Sequence, residues 1–185
     1  MRLPRLAPSP ALFAALALSA AVPAWAGKAH QHGVAQLDVA VEPGRVTLDL
    51  QTPLDGLVGF ERAPRNDAER ARVEAALARL RDAASLFRID SAAGCTLAKV
   101  TLNAPVLGVT PAGTAAPAAP AKGEHADLDG RFEFNCKGDA RPAFVEVGLF
   151  EAFSGMKRIE LRLVLPKGQM KATLVRPATR VALAR

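Results

Sequence analysis

Aromatic residues are scarce in this chain. Phe, Trp and Tyr together make up 5% of its 185 residues, and tyrosine is absent. The Lys and Arg residues are scattered rather than clustered, so neither stacking platforms nor a basic stripe for nucleic acid is present. Long apolar runs are missing as well. The longest, from Ala11 to about Val22, spans about a dozen residues, short of the roughly 20 that a membrane-crossing helix needs. No G-x-S-x-G, H-E-x-x-H or Gly-rich phosphate loop occurs. Ser85, Ser91 and Ser154 have no histidine close in sequence, and Glu61 beside Phe60 is a lone carboxylate. On these absences the chain is read as not an enzyme.

The N-terminus is informative. Arg2 and Arg5 precede the apolar run, and Ala24-Trp25-Ala26 follows it, the pattern of a cleaved secretory signal. Cutting after Ala26 removes 26 of 185 residues and leaves 159, enough for one domain with a proper core. The expectation is export into an oxidising compartment, with nothing membrane-spanning left after cleavage. Net charge falls from +6 to +4 with Arg2 and Arg5, which reads as solubility with a weak preference for acidic surfaces. Two cysteines remain, Cys95 and Cys136, and an even count in an exported chain suggests one disulfide. It would close a loop of about 40 residues and contribute on the order of 4 kcal/mol. The alternative is a pair of buried free thiols.

Residues His30 to Glu42 alternate, with Ala35, Leu37, Val39 and Val41 on one face and Gln36 and Asp38 on the other. A turn at Pro43-Gly44 and renewed alternation through Val46, Leu48 and Leu50 predict a β-hairpin. Asn66 and Glu69 form a capping-box signal, and Val73, Leu77, Leu80, Ala84 and Phe87 recur at helical spacing behind it. Thr96–Leu102 reads as a strand. Residues 103–124 are rich in Ala and Pro without periodicity and read as a flexible loop. Leu128–Cys136, Ala143–Phe150, Arg158–Leu165 and Met170–Val175 read as further strands, the last two joined by Pro166-Lys167-Gly168. The expected fold is therefore a single α+β domain over 27–185: mostly antiparallel β-sheet, one long amphipathic helix, and a disordered Ala/Pro-rich central loop.

Only three histidines occur, and all lie beside polar alternation. His30 and His32 are two apart and share the face of Gln36 and Asp38 if the strand begins there. In Glu124-His125-Ala126-Asp127, alternation sends His125 and Asp127 outward. If the two strands lie side by side, His30, His32, His125 and Asp127 converge into three imidazoles and one carboxylate, a set that suits tetrahedral Zn²⁺. Copper or nickel accepts the same ligands. Because deprotonated imidazole is the ligand, such a site weakens in mild acid.

Three segments carry a resemblance beyond spacing. They are Ala29-His30-Gln31-His32-Gly33; Pro53-Leu54-Asp55-Gly56-Leu57-Val58-Gly59-Phe60-Glu61-Arg62-Ala63-Pro64; and His125-Ala126-Asp127 with Phe132-Glu133-Phe134-Asn135-Cys136. In this order, with a helix and Cys95 between, they resemble the ZrgA-like family of periplasmic zinc-binding proteins, linked to zinc uptake in Gram-negative bacteria. The resemblance implies periplasmic Zn²⁺ binding by His30, His32, His125 and Asp127, in support of a membrane importer. Two departures stand out. The central loop lacks the histidine- and acid-rich tract that members often carry, and Arg62 stands where many have histidine. The competing expectation is a metal-independent envelope module that contacts another protein.

Overall fold

The computed structural model describes residues 31–113 and 126–183. Alternation becomes a hairpin where it is strongest. Strands β1 (Val34–Glu42) and β2 (Arg45–Pro53) pair antiparallel, with Leu37 opposite Leu50 and Val41 opposite Val46. Leu37, Val39, Val46 and Leu48 are fully buried on one face. Strands β5 (Asp127–Asn135) and β4 (Thr96–Asn103) extend the sheet beyond β2, while β7 (Arg158–Leu165) and β8 (Gly168–Val175) extend it beyond β1. The order across the six strands is β4-β5-β2-β1-β7-β8. The β1–β7 pair runs parallel, the one departure from antiparallel pairing in this sheet. A second sheet has the order β3 (Phe87–Ile89), β6 (Phe144–Val147), β9 (Arg180–Ala182).

The core lies between the inner face of the large sheet and a layer made of helices and the small sheet. Leu37, Leu48, Phe132 and Leu161 from the sheet join Leu77, Leu80, Phe87, Leu149 and Phe153 in one buried cluster. Each such side chain contributes about 1.5–3 kcal/mol by leaving water. The Phe87 and Phe132 rings sit 4.9 Å apart. The outer face stays polar. Register lines up Arg131, Asp49, Asp38 and Arg162 across four strands, so each guanidinium flanks one of two facing carboxylates. The Cys95–Cys136 disulfide forms and ties the start of β4 to the end of β5.

The helical stripe is interrupted. Helix α2 (Asp67–Arg81) starts on Asn66, whose side chain accepts from the Glu69 amide at 2.9 Å. It buries Val73, Ala76, Leu77 and Leu80 and ends at Asp82. Ala83–Leu86 form a separate turn, α3, and Phe87 leaves helical geometry to pair with Val147. The expected strand Ala143–Phe150 is likewise shorter. Gly148 donates to the Leu86 carbonyl at 2.7 Å, and the chain continues as α4 (Leu149–Ala152). A side chain there would press on that carbonyl, its Cβ 3.3 Å away. Asn103 closes β4, and residues 104–109 fold into a short turn closed by an Ala104–Val109 bridge. The Ala/Pro-rich residues 114–125 lie outside the described residues, as do 1–30 with the predicted signal. No described helix is long and apolar enough to cross a membrane.

Candidate metal centre

One end of the large sheet gathers two segments that are far apart in sequence. The first is the turn before β1. His32 sits on it, and Gly33 follows at φ +74°, a left-handed conformation that glycine adopts without strain. The Gly33 carbonyl accepts from the amides of Lys157 (2.8 Å) and Arg158 (3.2 Å), fastening the turn to β7. A Cβ on Gly33 would lie 2.8 Å from the Gly155 carbonyl oxygen, so only glycine lets these backbones meet.

The second segment is α1 (Leu54–Val58), which continues straight out of β2 and carries Asp55 in its first turn. Gly59 caps it at φ +86°, its amide donating to the Asp55 carbonyl at 2.9 Å. That left-handed cap reverses the chain and returns Glu61 towards Asp55. The loop carrying Glu61 is held firmly. Arg62 gives Glu69 a two-pronged ion pair at 2.7 and 2.8 Å and lies 4.8 Å over the Phe60 ring. The Arg65 amide also donates to Glu69 at 2.7 Å. The Arg62 pair, and then the Arg65 amide, hold the Glu69 carboxyl down at about 2. Glu69 thus joins the Glu61 loop to the first turn of α2.

These supports bring His32, Asp55 and Glu61 together. His32 Nδ1 is 2.9 Å from Asp55 Oδ2 and 3.4 Å from Glu61 Oε1. One nitrogen and two carboxylate oxygens lie within 4.8 Å of one another. The Asp55 and Glu61 side chains are 25% and 16% exposed, and His32 is 63% exposed, so two acids form the floor and the imidazole the mouth. Asp55 Oδ1 is buried and has no hydrogen-bond partner among the described residues. Donor atoms around a tetrahedral zinc ion are about 3.3 Å apart, given bonds of about 2.0–2.1 Å. The His32–Glu61 spacing already matches, and the His32–Asp55 spacing needs to open by a few tenths of an ångström. The nitrogen–oxygen donor set therefore fits Zn²⁺.

The sequence matches the family described as ZrgA family zinc uptake protein over residues 29–183. The chain belongs to this family. No curated protein matches it.

The four expected ligands fare differently within this ZrgA-family fold. His32 is in the cluster. His30 and His125 lie outside the described residues. Asp127 is half-buried and is not one of the three clustered residues. The side-by-side arrangement on which that convergence was conditional is not formed, because β2 runs between β1 and β5. They still reach the same end of the sheet. Asp127 opposes Pro53, and the Leu54 amide donates to the Ala126 carbonyl at 2.9 Å, which seats Ala126 and Asp127 against the start of α1. Sequence spacing overlooked Asp55 and Glu61 as ligands. The available signal was Asp55-Gly56 and Gly59-Phe60-Glu61: two acids separated by glycines that permit a reversal.

Proposed function

We propose that this protein is a periplasmic zinc-binding accessory to zinc uptake, which captures Zn²⁺ at His32, Asp55 and Glu61 and yields it to a membrane importer. The carrying observation is the convergence of one imidazole and two carboxylates, the acids 23 and 29 residues beyond the histidine in sequence, in a chain of a zinc uptake family. The two acids supply the negative charge that draws in a dication, and His32 at the mouth supplies the borderline-soft nitrogen that favours zinc over calcium or magnesium. His30, His125 and Asp127 are the additional ligands this reading expects, since the described residues Gln31, Ala126 and Asp127 lie at that end of the sheet. Open access at His32 suits a carrier, because the ion can leave without a rearrangement of the fold. The role is binding and transfer, with no catalysis. The disulfide and the export signal expected from the N-terminal sequence support a periplasmic setting.

The test is calorimetric titration of residues 27–185 with Zn²⁺, beside His32→Ala and Glu61→Gln. Binding near one-to-one that both variants lose supports the reading. Binding that survives both moves the site to the other histidines. No binding in the parent protein replaces it with the metal-independent module. Competition with Cu²⁺ and Ni²⁺ shows which metal the site prefers.

A further inference from the structure

The two edges of the large sheet are built differently. β4 is guarded: its pairing with β5 is broken by an irregularity between Leu97 and Lys99, and its flank carries the disulfide and the turn at 104–109. β8 is not guarded in this way. Its eight residues pair with β7 in unbroken register from Arg158–Val175 to Leu165–Gly168, and its outer side has no strand partner among the described residues. Lys171 is its single charge. Long, regular, nearly uncharged edges invite pairing with another strand. The core also thins here. Met170 and Ala172, on the inner face of β8, are only partly buried against it. The two large apolar residues most exposed to solvent, Val164 at 48% and Val175 at 52%, lie on β7 and β8.

We infer that β8 is a dimer edge, on which a second copy of this chain pairs antiparallel about a two-fold axis through Ala172, making one continuous twelve-stranded sheet. Self-complementarity selects that register. A two-fold must pass through a residue to keep inner faces together, since a one-residue slip turns core-facing side chains to solvent. Through Ala172, Met170 meets Leu174 of the second copy, Gln169 meets Val175, and Lys171 meets Thr173. Seven residues pair, the half-buried apolar row continues across the axis, and no like charges oppose. A two-fold through Lys171 sets lysine against lysine. One through Thr173 opposes Met170 with Arg176 and shortens the ladder.

The register yields a clean test, because Thr173 faces Glu160 within its own chain. Thr173→Lys gains an ion pair in the monomer yet places two lysines against the two Lys171 side chains in the dimer. Sedimentation equilibrium of residues 27–185, over a micromolar-to-millimolar series, is expected to show a dimer for the parent protein and a monomer for Thr173→Lys. The double variant Lys171→Glu/Thr173→Lys restores opposite charges across the axis and recovers the dimer, with Glu at 171 facing Arg162 in its own chain. Circular dichroism and melting temperature confirm that all three fold. A parent protein monomeric throughout the series overturns the inference and leaves the edge to another protein's strand. A dimer indifferent to Thr173→Lys overturns it by placing the interface elsewhere.

Discussion

Replacing Asp55 by asparagine keeps the shape of the metal centre and removes one of its two negative charges. The ligand oxygens of Asp55 and Glu61 lie within 4.8 Å of each other. Two unit charges at that separation repel by about 3–4 kcal/mol at an effective dielectric of about 20. A site open to water screens this to about 1–2 kcal/mol. The opposing term is the place of Asp55 in the first turn of α1. It is worth about 0.3–1 kcal/mol, and a five-residue helix sits at the low end. Asp55→Asn is therefore expected to stabilise the metal-free protein by about 1 kcal/mol, raising its Tm by about 2–4 °C. Zinc affinity moves the other way. Outer-shell partners of a metal cost about 10–100-fold when lost, and a direct ligand costs at least about 100-fold. Melting curves without metal and zinc titration in the same buffer make the assay. A lower Tm with unchanged zinc affinity would refute the reasoning, because Asp55 would then serve only as a hydrogen-bond acceptor for His32.

Gly33→Ala is expected to lose at least about 2 kcal/mol of stability, since it adds a Cβ at positive φ and 2.8 Å from a carbonyl oxygen; urea unfolding measures it. Arg62→Ala frees the Glu61 loop from Glu69, so zinc affinity falls about 10-fold or more and Tm at neutral pH falls as it does on losing the Glu69 charge; calorimetry and melting together check both halves. Glu69 contributes stability that is fully present above the ordinary carboxyl range near 4.5 and is lost as pH falls towards about 2, because its folded-state value is the depressed one. Glu69→Gln should flatten the acid limb of a plot of Tm against pH in that window and lower Tm at neutral pH. Cys95→Ser/Cys136→Ser should cost about 2–5 kcal/mol, read by denaturant unfolding.

Local patterns carried most of the sheet. Leu37, Val39 and Val41 against Val46, Leu48 and Leu50 encode both the hairpin and its buried face, because period-two alternation is written in consecutive residues. Asn66 and Glu69 likewise mark the start of α2. Elements that depend on distant partners escaped. The three-residue strands β3 and β9 exist because β6 lies between them, and the parallel β1–β7 pair joins residues more than a hundred apart in sequence. Helix α1 contains Gly56 and spans one turn and a half, so its stability comes from packing rather than propensity. The metal centre divides in the same way. His32 was legible as part of a two-apart pair on a polar face. Asp55 becomes its neighbour through the exit of β2 into α1, and Glu61 only through the left-handed reversal at Gly59 and the Arg62–Glu69 fastening; neither has a periodic signature.

The most direct measurement is anomalous diffraction at the zinc absorption edge from crystals of the zinc-loaded protein. A single strong peak within bonding distance of His32 Nδ1 and of the Asp55 and Glu61 carboxylates is the predicted result. A peak at another place on the molecule, or none at full zinc loading, contradicts the assignment of this cluster as the site of capture.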